Sequence, residues 1–352
     1  MFDGHHVGRQ QTGNETYARE MARALSDRND IDLIVTVDRG NPQATEDLPM
    51  IKTRALPRNP VGRLLALPLV ARQYRADLLH TIYYLPAGPV RHTIVSVHDI
   101  SFVRFPEFFS SGERMKNRIL VGDAIRRAGA ISTLTAHAKE EIVDVYRVDP
   151  GRVYVVPCGV SPAFFQADVE SRRLQDDRLR LLAVGSLQPR KNLQRLVAAV
   201  RALSAQRPVT LSLIGPEGYQ AQEIRESVGQ DASVRFLGYV SEQRLIEAYQ
   251  SADVFVYPSL YEGFGLPVIE AMACGTPVVT STGGSLPEVA GSAAVLVDPL
   301  DELAIADGIR RAADDASLRT RLVRDGLVRA RHFTWPAAAS ALTEAYKVVA
   351  SR

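Results

Sequence analysis

The sequence has little cysteine, no long apolar run and no marked excess of charge of either sign. Its two cysteines, Cys158 and Cys274, stand far apart among 352 residues. They are too few for a disulfide framework and lack the spacing of a zinc site. Such cysteine usage fits a reducing compartment, so the expected location is cytoplasmic. No stretch approaches the roughly 18 apolar residues that mark a membrane-spanning helix. The segment Met1-Phe2-Asp3-Gly4-His5-His6 has no apolar core of a secretory signal. Lysine and arginine total 42 against 40 acidic residues, a net charge of +2, so nothing global points to nucleic acid. Also missing are the Gly-x-x-x-x-Gly-Lys-Ser/Thr phosphate loop and a Gly-x-Gly-x-x-Gly after a strand. ATPase and dinucleotide dehydrogenase readings therefore lack their phosphate site.

What is present is ordinary in amount and uneven in placement. Apolar residues make up 46% and charged residues 23%, as in globular proteins, and the length suits two domains. Arg58, Arg63, Arg72, Arg75, Arg91, Arg104, Arg114, Lys116, Arg118, Arg126 and Arg127 all fall in the first half. They read as solvated helix faces, or as a surface for an anionic acceptor or an anionic membrane.

Strand-like runs alternate with helix-like ones, the pattern of parallel α/β sheets. Strands are expected at 31–37, 78–83, 93–97, 130–133 and 153–156, with helices at 61–74, 112–127 and 136–146. Only Met1-Phe2 precedes Asp3-Gly4, so the first strand looks clipped, through a late start or because it is short. A polar, proline-containing stretch then breaks the pattern. A second series follows, with strands at 180–184, 210–214, 233–237, 254–257, 277–280 and 294–297. Its helices are expected at 192–205, 221–228, 242–251, 268–273, 300–313 and 318–332, and a last helix at 336–350. The fold class is α/β: two doubly wound Rossmann-like domains. The amino domain is set at 1–165, completed by a terminal helix at 336–352. A linker at 166–178 leads to the carboxyl domain at 179–335.

Ligands of open α/β sheets bind outside the carboxyl ends of the strands, and the unusual residues cluster there. His98-Asp99 follows one strand. Gly185-Ser186-Leu187-Gln188-Pro189-Arg190-Lys191-Asn192 follows another, and a glycine turn with two cations before a helix suits a diphosphate. An Arg-Lys pair is also commonly just solvated. Gly238-Tyr239-Val240 and Pro258-Ser259-Leu260-Tyr261-Glu262 complete the rim. Pro267 suits a first helical turn, which places Glu262 in a glycine-flexed loop and Glu270 on the helix's opening turn. Their carboxylates suit vicinal hydroxyls of a sugar or ribose, or else are a surface residue and a cap.

Together these residues resemble a family. Glu262-Gly263-Phe264-Gly265-Leu266-Pro267 with Glu270 resembles the Glu-x7-Glu motif of retaining family 4 (group 1) glycosyltransferases of the GT-B fold, in which two domains face across a cleft. Arg190-Lys191-Asn192 resembles their phosphate-binding segment. Val97-His98-Asp99-Ile100-Ser101-Phe102 resembles their amino-domain histidine motif, as found in bacterial mannosyltransferases of polysaccharide assembly. Val156-Pro157-Cys158-Gly159-Val160 and Phe333-Thr334-Trp335 resemble the flanks of their linker and crossing helix. The resemblance implies that Arg190 and Lys191 neutralise the donor diphosphate as it leaves. Glu270 would bind ribose. Glu262, with the backbone of Phe264, Gly265 and Leu266, would hold the donor sugar, while Tyr239 and Val240 meet the nucleobase. Ser186 and Gly13 are counted with the donor site. His98 would approach the transferred sugar from the other domain, and Asp99 would orient His98 or cap the next turn. Thr12-Gly13-Asn14-Glu15-Thr16 departs from the usual Gly-Gly followed by an apolar residue.

The activity so implied is transfer of a hexose, with retention, from a nucleoside diphosphate sugar to a hydroxyl of a glycan or lipid-linked saccharide. GDP-mannose is favoured as donor substrate and a UDP-sugar is the runner-up. No cofactor is expected. No metal is expected either, because no Asp-x-Asp follows a strand on this rim. No nucleic-acid partner is expected; peripheral contact with the inner face of an anionic membrane is a candidate. The other readings are a GT-B epimerase or phosphorylase, and a non-catalytic glycan-binding protein.

Overall fold

The computed structural model describes residues 1–9, 13–86, 92–165, 178–229 and 231–351. The expected linker lies outside these residues except for Arg178. The chain divides into two compact units, Met1–Gly159 with Trp335–Arg352, and Val160–Thr334.

The first unit holds seven strands: β1 (Phe2–Asp3), β2 (Ile34–Asp38), β3 (Lys52–Leu56), β4 (Leu79–Ile82), β5 (Thr93–Ser96), β6 (Ala130–Thr133) and β7 (Val153–Val155). They form one sheet in the order β3-β2-β1-β4-β5-β6-β7, every pair parallel. Its helices are α1 (Gly13–Ser26), α2 (Pro42–Asp47), α3 (Pro60–Gln73), α4 (Ser101–Arg104), α5 (Ser111–Arg127) and α6 (Ala136–Tyr146). Four elements of the first unit, β3, α1, α2 and α4, escaped the sequence reading. Strand β3 is the sheet edge and mostly exposed or half-buried, so it lacks the apolar run of an inner strand. Helix α1 begins at Gly13 and buries Tyr17, Met21 and Leu25 at four-residue spacing, one face of a helix.

Arg63 corrects one expectation: it is buried, not part of a charged surface. It donates to Asp3 Oδ1 at 2.6 Å and also to Asp38, tying together the carboxyl ends of β1 and β2. Crossover handedness then sorts the helices. The connections from β1 through β3 step one way along the sheet, whereas those carrying α3 and α5 step the other way. Right-handed connections therefore put α3 and α5 on the face opposite α1.

The second unit repeats the design with six parallel strands: β8 (Leu179–Val184), β9 (Val209–Ile214), β10 (Val234–Gly238), β11 (Val254–Tyr257), β12 (Val278–Ser281) and β13 (Val295–Val297). Their order, β10-β9-β8-β11-β12-β13, reverses between β8 and β11, the crevice where such sheets bind ligands. The helices are α7 (Leu193–Ser204), α8 (Ala221–Val228), α9 (Glu242–Ser251), α10 (Leu266–Ala273), α11 (Leu286–Ala290), α12 (Glu302–Asp314) and α13 (Ala316–Ala330). Helix α10 is apolar nearly all round, with Leu266, Val268, Ile269, Ala271, Met272 and Ala273 buried, as a core helix must be. Burying each large aliphatic side chain contributes about 1.5–3 kcal/mol, so the loop leading into α10 is firmly anchored. The last helix, α14 (Trp335–Ala350), returns to the first unit, where it packs on α1 and on β5, β6 and β7.

Candidate functional site

In the second unit, the loops after β8 and β11 meet at the point of strand reversal. Gly185 leaves β8 with φ +149°, and a Cβ there would lie 2.9 Å from the Lys191 side chain, so glycine makes room for the lysine. Ser186 is buried and its hydroxyl accepts from Gln188 Nε2 at 2.7 Å. A 3-10 turn, Pro189–Lys191, then presents Arg190 and Lys191. Asn192 ends the turn in a left-handed conformation. Its Nδ2 donates to Pro258 O at 3.0 Å and Pro299 O at 2.6 Å, pinning the turn to the β11 loop.

Glu262 joins the two cations. Arg190 Nη1 donates to Glu262 Oε2 at 2.5 Å and to Tyr261 O at 2.9 Å. Lys191 Nζ donates to Glu262 Oε1 at 2.7 Å and to Tyr257 Oη at 2.5 Å. Burial alone pushes the Glu262 carboxyl up, but Arg190 and then Lys191 outweigh it and hold it at about 2. Burial, then Glu262, raises the Tyr257 phenol well above its ordinary 10. The sequence reading gave Glu262 to sugar hydroxyls; in the structure both carboxylate oxygens are engaged by cations. A buried ammonium without a counter-charge is very costly, which explains the arrangement. The three charges sum to +1 in a water-poor setting, where donors aimed at developing negative charge act most strongly.

The loop backbone is held from below. Ser285 N donates to Glu262 O at 3.0 Å, and a Cβ on Gly284 (φ +56°) would meet that oxygen at 2.6 Å. Gly265, with φ +97°, precedes α10. The amides of Phe264, Gly265 and Leu266 sit where a helix start has no upstream carbonyl for them. Glu270 is on the second turn of α10, not the first, and accepts from Tyr249 Oη at 2.9 Å. Burial, then Glu270, keeps the Tyr249 phenol protonated. Tyr239 is exposed and Val240 half-buried beyond β10. Strand β9 separates β10 from β8, the strand that leads into the cation pair.

The first unit carries the remaining candidates. His98 follows β5, is buried, and its Nδ1 lies 2.8 Å from Asn14 Oδ1. The Tyr17 and Tyr83 rings stand 4.4 Å and 5.5 Å from it, edge to face. Burial drops the His98 pKa to about 3. Gly13 is exposed, at the first position of α1. Asp99 does not orient His98: its Oδ1 accepts from Ser101 N at 2.9 Å and Ser101 Oγ at 2.6 Å, closing the turn that leads into α4. The sequence reading missed Asn14, Tyr17, Tyr83, Tyr249 and Tyr257 as neighbours of the site. Of these, Tyr83 had no sequence signal; its φ of 65° is a strain seen only in the structure. Among the described residues, no group of three His, Cys, Asp or Glu side chains is placed to hold a metal ion. Nor is any helix long and apolar enough to cross a membrane.

Comparison with known proteins agrees with this geometry. The profile of "Glycosyltransferase Family 4" matches residues 12–164, and that of "Glycosyl transferases group 1" matches residues 164–327. The chain is 30% identical over 290 residues to the O-antigen chain mannosyltransferase B of Escherichia coli, covering 79% of this chain and 76% of that one. It is 35% identical over 300 residues to the D-inositol 3-phosphate glycosyltransferase of Stackebrandtia nassauensis, covering 77% and 68%. Sucrose-phosphate synthase from Thermosynechococcus elongatus shares the fold, with a TM-score of 0.82 over 98% of this chain and 97% of that one at 23% identity. The chain is a glycosyltransferase and belongs to family 4, with the GT-B fold.

Proposed function

We propose that this glycosyltransferase moves a hexose, with mannose favoured, from a nucleoside diphosphate sugar to a hydroxyl of a glycan or lipid-linked saccharide, retaining the anomeric configuration. The observation that carries the reading is the buried Arg190–Lys191–Glu262 cluster. Its excess positive charge supports departure of a diphosphate, which needs charge stabilisation more than protonation. The bond from the anomeric carbon to phosphate breaks as the acceptor oxygen attacks the same face. The acceptor's proton passes to the departing phosphate oxygen. Mannose is favoured because a mannosyltransferase is among the relatives; GDP is taken as the carrier and UDP is the alternative. Thermal shifts with GDP-mannose, GDP, UDP-glucose and UDP test the donor, because a ligand stabilises by RT ln(1 + [L]/Kd). Selective stabilisation by the guanosine compounds supports the reading, selective stabilisation by the uridine compounds transfers it to UDP-sugars, and no shift with any refutes it. A product whose anomeric coupling is inverted relative to the donor refutes retention. We also propose metal independence: turnover undiminished after exhaustive chelation supports it, and loss restored by Mn²⁺ or Mg²⁺ refutes it.

A lipid-linked acceptor is favoured by the outer face of the first unit. On α3, Val61, Leu65 and Leu69 are 70%, 59% and 71% exposed, opposite the buried Arg63, Leu67 and Ala71. No acidic residue lies between Asp47 and Asp77, while Arg58, Arg72 and Arg75 flank this stripe. On the same sheet face, α5 exposes Met115 and Ile119 beside Lys116 and Arg118. Arg91, counted with this basic set in the sequence, lies outside the described residues. Apolar stripes bordered by cations fit an anionic lipid surface. Co-sedimentation with phosphatidylglycerol vesicles, lost in Leu65→Glu/Leu69→Glu, is the expected result. Equal binding by that variant, or no binding by the parent, overturns this part.

A further inference from the structure

We propose that Asn14 locks His98 in the tautomer protonated at Nδ1, so that Nε2 presents a lone pair and the histidine recognises a hydroxyl donor rather than a phosphate oxygen. The inference rests on the proposed function for what carries that hydroxyl. The tautomer does not depend on it.

The argument begins at the contact of Asn14 Oδ1 with His98 Nδ1, 2.8 Å long. An amide oxygen has lone pairs and no proton, so the ring nitrogen it meets must carry the hydrogen. In a neutral imidazole the other nitrogen is then bare. His98 stays neutral because it is 5% exposed and burial depresses its pKa to about 3. The rings of Tyr17 and Tyr83 lie against it and offer no charge to stabilise an imidazolium.

The second observation is independent of the first. Nε2 is buried and has no hydrogen-bond partner among the described residues. Native structures rarely leave a buried polar atom unmatched without reason. A bare nitrogen shielded from water awaits a donor. A phosphate oxygen at neutral pH offers only lone pairs and is repelled there, whereas a sugar hydroxyl can donate.

The surroundings make Asn14 a positioning residue with little freedom. It is the second residue of α1, and the next, Glu15, is buried and accepts from Gly8 N at 2.9 Å. Three residues after Asn14, the Tyr17 hydroxyl is bonded to Ser96 Oγ at 3.0 Å, fixing the ring that packs on His98. The amide is thus held at a set distance from the imidazole by contacts on either side of it.

The test is the tautomer read directly by long-range ¹H–¹⁵N correlation on histidine-labelled protein. His98 is assigned among seven histidines by comparison with His98→Gln. The wild type is expected to show a protonated Nδ1 and a bare Nε2. Asn14→Leu is expected to lose that preference and to lower kcat/KM at least tenfold. Asn14→Asp, at mildly alkaline pH where the imidazole is neutral, is expected to keep the tautomer and most of kcat/KM. Adding GDP-mannose should move the Nε2 resonance, and GDP alone should not. A wild-type spectrum with protonated Nε2, an Asn14→Leu variant unchanged in tautomer and turnover, or equal shifts from GDP and GDP-mannose overturns the proposal. If none of GDP, GDP-mannose, UDP and UDP-glucose moves any resonance, the proposed function fails, and the ligand-free spectrum still decides the tautomer.

Discussion

Replacing Lys191 by alanine tests the site most directly, because its effects on turnover and on stability differ in size. Lys191 Nζ donates to Glu262 Oε1 and Tyr257 Oη and stands 4.7 Å from the centre of the Tyr257 ring. After truncation Glu262 keeps Arg190, so the buried carboxylate is not stranded. The loss of folding stability should then resemble that of one charged hydrogen bond, about 2 kcal/mol, and not the 3–5 kcal/mol of a buried charge stripped of its partner. For a unit of this size that lowers Tm by about 4–8 °C, and the variant is folded at assay temperature. Turnover should fall much further. Losing one preorganised donor to the leaving group costs about 10²–10³ in kcat. The assay is release of nucleoside diphosphate at saturating donor, with Tm measured on the same sample. A folded variant with kcat within threefold of the parent would refute the assignment of Lys191 to the leaving group. A matched loss in Lys191→Met, which restores bulk without charge, separates electrostatics from packing.

Glu262→Gln should act in the opposite sense on binding: with the anion gone, Arg190 and Lys191 face a neutral amide. Tm should fall by more than in Lys191→Ala while calorimetric affinity for GDP rises, and weaker GDP binding would contradict the shared-carboxylate account. Stability should drop as pH falls below 6.5, because burial depresses His80 and His98 from 6.5 to about 3. The unfolded chain then binds protons that the folded one refuses, and by pH 5 each withdraws about 2 kcal/mol; a Tm unchanged from pH 6.5 to 5 would show that these rings are not buried neutral. Glu262, held at about 2 against an ordinary 4.5, contributes about 3 kcal/mol above pH 4.5, lost between pH 4.5 and 2, so urea midpoints of Glu262→Gln and parent should converge there. Gly284→Ala places a Cβ 2.6 Å from Glu262 O at φ +56° and should cost about 1–3 kcal/mol while displacing Glu262; a variant as stable and active as the parent would show that the turn is not constrained.

Most of the architecture was legible because inner parallel strands are apolar runs and their helices are amphipathic. The strand expected at 254–257 and the helices at 221–228 and 242–251 coincide with β11, α8 and α9. What escaped notice lacked that contrast: β3 at the exposed edge, the short helices α2, α4 and α11, and α1. In the site, motif spacing singled out Arg190, Lys191, Glu262 and Glu270 as candidates. It did not show that Glu262 binds the two cations, because pairing between the β8 and β11 loops is a fact of tertiary structure. Nor could it choose between orienting His98 and capping as the work of Asp99. The turn prevails because Ser101 stands two residues on, within reach of the Asp99 carboxylate. The orienting contact comes from Asn14, 84 residues away in sequence.

The shared carboxylate bears on how such a site is tuned. Two buried cations alone repel each other and would bind a diphosphate tightly both before and after transfer, with product release suffering. Two cations with two carboxylates would be neutral and leave the departing charge unsupported. One carboxylate held by both cations keeps Arg190 and Lys191 in fixed positions and leaves an excess of one positive charge. Under the proposed function, diphosphate charge would grow as the sugar leaves, so a fixed, modest excess would favour the transition state over the bound donor, which is what raises kcat rather than affinity alone. On that balance, Lys191→Ala should weaken GDP binding and Glu262→Gln should strengthen it. If both variants weakened GDP binding alike, Glu262 would be a ligand contact in its own right and not the regulator of its two neighbours.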